Sequence, residues 1–431
     1  MNRTKRLYIL GVIMIIAMGG VGVILNNLSP SLAYAESDAK AVNVNKSIVA
    51  ANTGFALRLL TELRREQAGK NIFISPLSVS IALAMTYNGA NSSTRDAMGS
   101  ALGLQGMSDD VVNSGYSDLI ESLLSADSDV SLNIGDSVWI RSGFTPAVSP
   151  TFTDTLRKYY GSGVYSRPFD SSTVDEVNSW VDKETRGKIN KILDQIDSDN
   201  VMFLINAIYF KGGWVDEFDE SATRPVYFNT ADARADDAVT GSIVKVDMMN
   251  NNGSFYYYGD DEVKIARLPY GRDKIAMYVF LPVEDSTLGS LMAGLNEEKL
   301  NAYFPKLSKT ELELQLPKLK LEYGKVDLKA ALTNLGMGIA FDRNLADFGR
   351  IADVRPERLY IAFVDHKAVV EVNEKGTEAA AVTNVGISIT SIPIRTPFVV
   401  DRPYMFVIRD DRSGTILFAG LISDPTQRTS P

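Results

Sequence analysis

The chain contains no cysteine and a single histidine, His366, among its 431 residues. Disulfide bonds, thiolate nucleophiles, cysteine-based zinc sites and mechanisms that need two histidines are therefore excluded. The sequence also lacks a Walker phosphate loop, a complete dinucleotide-binding glycine motif and a G-x-S-x-G nucleophile motif. Because these absences remove most enzyme chemistry, we expect a protein that is not an enzyme and that uses no metal ion or cofactor.

Positive charge is also in deficit, since 44 basic residues stand against 53 acidic ones and the formal net charge is -9. Such a chain has no overall basic field that would attract nucleic acid, so we expect no nucleic-acid partner. Its hydrophobic content of 45% and charged content of 23% are instead typical of a globular protein that buries a large core.

The N-terminus has the organisation of a secretory signal peptide. Basic residues at positions 3, 5 and 6 precede an apolar run over residues 7–25, and Ala33-Tyr34-Ala35 forms an A-x-A site. We predict that residues 1–35 are removed and that the protein is secreted. The apolar run approaches a membrane-spanning length, so an uncleaved anchor is the alternative and the only way in which a membrane would be a partner.

The rest of the chain is predicted to form one α+β domain over residues 45–427, between an extension (36–44) and a tail (428–431). No composition break or repeat divides it. Ser75-Pro76 predicts an N-cap followed by proline at the first helical position. Residues 201–210 form an apolar run typical of a strand buried on both faces. Leucine alternates with polar residues over 311–316, and the phase slips at Pro317, which predicts a bulge or bend within one strand.

A segment over about residues 374–397, between two predicted strands, is far longer than an ordinary hairpin loop of about two to five residues. Its alternate residues from Thr377 to Ile389 are small and then apolar, and the residues between them are mostly polar. This is the period of a half-buried strand, and from Gly376 to Thr390 such a strand would be about 50 Å long. A loop patterned as a strand is a conflict typical of functional or switching segments.

The start of this segment resembles the hinge of the serpin family, in Glu374-Lys375-Gly376-Thr377-Glu378-Ala379-Ala380-Ala381. The resemblance covers about residues 45–427 and includes residues 71–78, residues 206–214, Leu316-Pro317-Lys318 and Asp401-Arg402-Pro403-Tyr404. One departure is Tyr404, where the family usually has phenylalanine. The resemblance implies helices packed around a large central mixed β-sheet, smaller sheets, an exposed reactive-centre loop and a monomeric protein.

The activity that the resemblance implies is irreversible inhibition of a serine protease, with a cysteine protease as the other candidate target. In this mechanism the protease cleaves the loop and forms an acyl-enzyme, and the cleaved loop inserts into the central sheet before the acyl-enzyme is hydrolysed. Small residues at Thr377, Ala379 and Ala381 suit insertion, as does the absence of proline from Gly376 to Ile392. The alternative is a non-inhibitory serpin that serves as a binding or structural protein, although such serpins commonly carry bulky, charged or proline residues in the hinge.

The family spacing from the hinge glycine places the scissile bond between Thr390 and Ser391, with Ile389 and Ser391 as alternatives for the residue before the bond. No lysine or arginine occurs from Val382 to Ile394. This composition favours an elastase-like or subtilisin-like target over a trypsin-like one.

Two further sites follow from the resemblance. We call the first the shutter cluster, a polar group beneath the opening strands of the central sheet: Ser75, Ser78, Asn206 and His366. We call the second the breach group, at the top of that sheet where insertion begins: Trp214, Lys318 and Glu374. Lys318 and Glu374 are expected to form an ion pair, and His366 is expected to be a buried hydrogen-bonding group rather than a catalyst.

Overall fold

The computed structural model describes residues 8–17, 44–230, 242–377 and 394–430, and of residues 8–17 and 429–430 it describes only the backbone. Within this part of the chain the helices are α1 Lys46–Glu66, α2 Pro76–Tyr87, α3 Ser92–Leu102, α4 Asp109–Leu124, α5 Pro150–Tyr160, α6 Ser171–Glu184, α7 Leu288–Gly294, α8 Glu297–Tyr303 and α9 Lys329–Leu332. None of these helices is both long and apolar enough to cross a membrane.

The strands alternate with the helices and predominate in the second half of the chain. They are β1 Tyr8–Ala17, β2 Ile72–Ile74, β3 Val130–Arg141, β4 Gly163–Arg167, β5 Asn200–Gly213, β6 Arg224–Asn229, β7 Ile243–Gly259, β8 Val263–Tyr270, β9 Ile275–Pro282, β10 Ser308–Pro317, β11 Leu319–Asp327, β12 Leu359–Asn373, β13 Gly376–Thr377, β14 Thr396–Val399, β15 Tyr404–Asp410, β16 Thr415–Ile422 and β17 Thr429–Ser430.

The strands form two sheets. Sheet A has the order β17-β11-β12-β1-β5-β3-β4, and the short strand β13 pairs with both β12 and β5. Sheet B has the order β14-β10-β7-β8-β9-β15-β16-β2, with β6 paired to β7. Helices packed around a large mixed sheet and a second sheet confirm the predicted α+β fold class.

Strand β5 explains why residues 201–210 form an uninterrupted apolar run. Leu204 and Ile208 belong to the main core, which also contains α2 and most of sheet B. Phe203 and Ile205 belong to a second core that packs beneath α6. Because successive residues of a strand point to opposite faces, a strand covered on both sides must be apolar at nearly every position.

Helix α2 begins as the sequence predicts. Ser75 is its N-cap, the Ser75 side chain accepts a hydrogen bond from the backbone N–H of Ser78 at 3.2 Å, and Pro76 occupies the first helical position. The whole helix is buried, so the cap also fixes the side chains of Ser75 and Ser78 inside the core.

The prediction of one bent strand around Pro317 is wrong. Pro317 ends β10, which belongs to sheet B, and Leu319 begins β11, which belongs to sheet A. Proline has no N–H for the sheet, and the next donor, the N–H of Lys318, bonds to the carbonyl of Asp247 at 2.8 Å. The chain therefore leaves one sheet and enters the other within a single residue.

Strand β1 lies between β12 and β5 and runs parallel to both. It comes from the segment that the sequence predicts to be a signal peptide. Its position is the slot into which the family resemblance implies that the reactive loop inserts.

Candidate functional site

The hinge begins where β12 ends. After the turn at Glu374 and Lys375, Gly376 and Thr377 form β13, in which Thr377 pairs with Val372 of β12 and with Gly212 of β5, antiparallel to both. Gly376 has a φ of 148°, a backbone conformation that glycine adopts readily. Thr377 is fully buried, and its hydroxyl hydrogen-bonds to the hydroxyl of Tyr270. Gly376 and Thr377 of the hinge thus already lie between β5 and β12.

Trp214 holds the turn that leads into the hinge. Its indole N–H donates to the carbonyl of Asn373 at 2.9 Å, and its backbone N–H donates to the carbonyl of Lys375 at 2.9 Å. The indole stacks on Tyr270, with ring centroids 4.4 Å apart. The contacts of Trp214 therefore fix both the backbone of the turn and the aromatic residue that binds Thr377.

Glu374 is a buried carboxylate with a complete set of partners. The ammonium of Lys318 lies 3.0 Å from one carboxylate oxygen and 2.9 Å from the other, and the hydroxyl of Thr223 donates to the first at 2.8 Å. Burial alone would raise the pKa of Glu374, but the hydrogen bonds from Lys318 and Thr223 outweigh burial and lower the pKa. The structure therefore brings all three residues of the breach group to one end of sheet A.

The shutter cluster is only partly assembled. Ser78 donates its hydroxyl hydrogen to the amide oxygen of Asn206, and Ser75 caps the same helix turn. His366 is fully buried on β12, and within the described residues neither of its ring nitrogens has a hydrogen-bond partner. Asn206 and His366 occupy the same row of sheet A, but β1 separates them, since each pairs with residue 14. Burial lowers the pKa of His366 to about 3, which makes it a neutral group.

A third polar residue, which the sequence analysis missed, extends the row of Asn206 and His366. Asp136 of β3 pairs with Asn206 in the sheet register, and the amide N–H of Asn206 donates to one carboxylate oxygen of Asp136 at 2.8 Å. The other oxygen has no partner among the described residues. Burial raises the pKa of Asp136 to about 7, against the opposing effect of the hydrogen bond from Asn206. The only sign in the sequence was an acidic residue inside a strand-like segment.

The remaining predicted residues of the loop lie outside the described residues: Glu378, Ala379, Ala380, Ala381, Thr390 and Ser391. The described chain resumes at Ile394 and enters β14, which runs parallel to β10 in sheet B. The two ends of the segment are therefore attached to different sheets.

Comparison with known proteins decides the family. A family model described as serpin (serine protease inhibitor) matches residues 50–425. The chain belongs to the serpin family. Rice Serpin-ZXA is 34% identical to it over 399 residues, which cover 88% of this chain and 97% of the relative. Human Serpin B8 is 33% identical over 384 residues, which cover 87% and 98%. The resemblance found in the sequence is confirmed.

Solved serpin structures have the same fold. The thermophilic serpin tengpin in its native state matches with a TM-score of 0.78 and 30% identity, covering 89% of this chain and 95% of tengpin. Human thyroxine-binding globulin, solved in complex with its hormone, matches with a TM-score of 0.76 and 28% identity, covering 90% and 100%. Serpins are for the most part protease inhibitors rather than enzymes, but the globulin is a binding protein, so membership of the family does not by itself assign inhibition to this chain.

Proposed function

We propose that this serpin is a secreted, irreversible inhibitor of a serine protease, which it traps by inserting its cleaved reactive loop between β5 and β12. The observation that carries the proposal is β13, because Gly376 and Thr377 already form a strand in register with both neighbours. The proposal includes removal of residues 1–35, which would take β1 out of the same slot.

Continuing the register of β13 supports insertion of the whole loop. Six residues beyond Thr377, an antiparallel strand brings Thr383 opposite Asn206 on one side and His366 on the other. Pairing with β5 and pairing with β12 both place Thr383 at this position. Insertion would therefore place a threonine hydroxyl beside the two polar side chains that β1 now keeps apart.

The side-chain sizes along the loop agree with this register. Thr377 faces the main core, where it meets Tyr270, so every second residue after it would face the same way. The next two of these are Ala379 and Ala381, and they would pass into the sheet before the larger Val385 and Ile387. A charged side chain at one of the leading positions would be buried without a partner.

We further propose that the scissile bond lies between Thr390 and Ser391 and that the target has an elastase-like or subtilisin-like preference. The support is the small residue at the family's spacing and the absence of lysine and arginine from Val382 to Ile394. The target protease is the expected partner of a monomeric inhibitor.

The experiment is to mix residues 36–431 with elastase-like, subtilisin-like, chymotrypsin-like, trypsin-like and papain-like proteases and to analyse the products on denaturing gels and by mass spectrometry. We expect a detergent-stable complex and release of the 41 residues from Ser391 to Pro431 upon denaturation. Cleavage in the loop while every protease stays active would reject inhibition and favour a non-inhibitory serpin.

A variant of Thr390 tests the proposed position of the scissile bond. Thr390→Arg is expected to redirect the inhibitor toward the trypsin-like enzyme, because the arginine would fill the acidic specificity pocket of such proteases. The matched control is Ser388→Arg, two residues away, which is expected to leave trypsin uninhibited. Inhibition of trypsin by the control alone would mean that the bond has been misplaced.

A further inference from the structure

A cavity of about 340 Å³ opens beside the breach group, where β11 and β12 of sheet A meet β7 of sheet B and the C-terminal segment. Its volume is in the range of small-ligand sites. The charged side chains that line it are four cations and two carboxylates: Lys245, Lys318, Lys320, Arg428, Asp247 and Glu371. The lining is thus net positive on a chain whose formal net charge is -9.

The cations of this cavity differ in how far they are neutralised. Lys320 pairs with Glu371 at 3.4 Å, and Lys318 pairs with Glu374 at 2.9 Å. Lys245 and Arg428 form no ion pair with any carboxylate of the described residues. The ammonium of Lys245 lies 5.7 Å from the centre of the Tyr227 ring. Two cations without carboxylate partners at the wall of a concave site create a local positive potential that favours an anion.

We propose that this cavity is a binding site for an oxyanion, the phosphate or sulfate group of a small ligand. A guanidinium such as that of Arg428 presents parallel N–H donors that match two oxygens of a phosphate or sulfate. Lys245, on β7, supplies a second charge in the same lining. An oxyanion suits the lining better than chloride, because it can present separate oxygens to Arg428 and to Lys245.

Lys318 connects this site to the hinge. Its ammonium contacts both carboxylate oxygens of Glu374, the residue on the turn into β13, and its side chain also lines the cavity. A bound oxyanion competes with Glu374 for Lys318 and so weakens the ion pair at the point where insertion begins. This coupling, unlike the site itself, rests on the proposed inhibitory function.

The site is tested on the full chain by titration calorimetry and thermal unfolding in sodium phosphate, with sodium chloride at matched ionic strength as the reference, because salt screens exposed charges. We expect saturable heat and a rise in the unfolding temperature of about 2 °C in phosphate. The double variant Lys245→Gln/Arg428→Gln is expected to lose both signals. The control Lys70→Gln/Arg343→Gln, which removes two exposed cations elsewhere, is expected to keep them.

Equal behaviour in phosphate and chloride would overturn the site, as would a phosphate effect that survives in Lys245→Gln/Arg428→Gln. A sulfated disaccharide distinguishes the source of the group: binding no tighter than that of inorganic phosphate indicates a free anion, and at least tenfold tighter binding indicates a larger ligand. The rate of protease inhibition with and without phosphate tests the coupling alone, and an unchanged rate despite saturable binding overturns the coupling while the site stands.

Discussion

Two carboxylates, that of Glu374 beside one end of sheet A and that of Asp136 within the sheet, are each 6% exposed, yet their pKa values move in opposite directions. Glu374 has a lysine and a threonine bonded to it, and its pKa falls. Asp136 accepts one hydrogen bond, from the amide N–H of Asn206, and its second oxygen has no partner among the described residues. Its pKa rises to about 7. The difference shows that partners offset the effect of burial at Glu374 and do not offset it at Asp136, which also lies deeper in the protein. Glu374, at the end of sheet A, is thus fully paired, and Asp136, in the middle of the sheet, is not.

The largest effect is expected from a variant that adds a buried charge without any partner. Thr377→Arg would force a guanidinium into the fully buried position between β5 and β12. We expect the yield of detergent-stable complex to fall by at least about tenfold, with cleavage continuing, because the charge blocks insertion. Thr377→Ser, which keeps the hydroxyl and a small side chain, is the control. Full inhibition by the arginine variant would contradict insertion at β13.

Removing the partner of Glu374 should make it resemble Asp136. In Lys318→Met the carboxylate keeps only the hydroxyl of Thr223 as a side-chain donor. Lys318 is 41% exposed, so solvent screens part of the loss, and we expect the free energy of unfolding to fall by about 2 kcal/mol in urea titrations. Lys320→Met is the control, because its partner Glu371 is 35% exposed, and the expected cost is below about 0.5 kcal/mol. Equal losses in the two variants would show that pairing at Glu374 has no special weight.

Removing the charge of Asp136 should change the free energy of unfolding in the opposite direction. We expect Asp136→Asn to raise the free energy of unfolding by about 2 kcal/mol at pH 8, because the variant no longer holds a half-paired carboxylate in the core. The gain should shrink as the pH falls from 7 to 4, since the native wild-type protein already binds a proton below its pKa of about 7. A gain independent of pH would mean that Asp136 has the same pKa in the native protein and in the unfolded chain.

The smallest effect is the pH dependence of the wild-type full chain itself. With its raised pKa, Asp136 makes stability fall as the pH rises from about 4 to 7. With its pKa lowered to about 3, His366 makes stability rise over about pH 3 to 6.5, because the unfolded chain binds the proton that the native chain excludes.

The two slopes oppose each other between about pH 4 and 6.5, so their combined contribution to the wild-type profile should be nearly flat. His366→Gln should expose a falling slope and Asp136→Asn a rising one, both measured as urea midpoints against pH. The same slope in both variants would contradict the two assignments.

The features of this serpin that could be predicted from its sequence are those that depend on neighbouring residues. The N-cap at Ser75, the doubly buried strand over 201–210 and the hinge around Gly376 each depend on residues close together in the chain. The breach group needed the family resemblance, because Lys318 and Glu374 come from different strand ends.

What the sequence did not reveal depends on pairing between distant segments. Pro317 was expected to bend one strand, but the carbonyl of Asp247, which receives the N–H of Lys318, lies on a strand far away in the chain. Asp136 became a candidate only when the register set it against Asn206. The parallel pairing of β1 with β5 and β12 is of the same kind, since no local pattern specifies a partner strand.

The separate attachment of the two loop ends has a practical consequence. The chain before the proposed scissile bond belongs to sheet A through β13, whereas the 41 residues after it carry β14, β15 and β16 of sheet B. Strand β16 is buried along its whole length and β15 along most of its length, so a cut at Thr390 would divide the polypeptide without dividing the particle. A nicked molecule would elute from a sizing column with the mass of an intact one, so native chromatography would not separate cleaved from uncleaved protein.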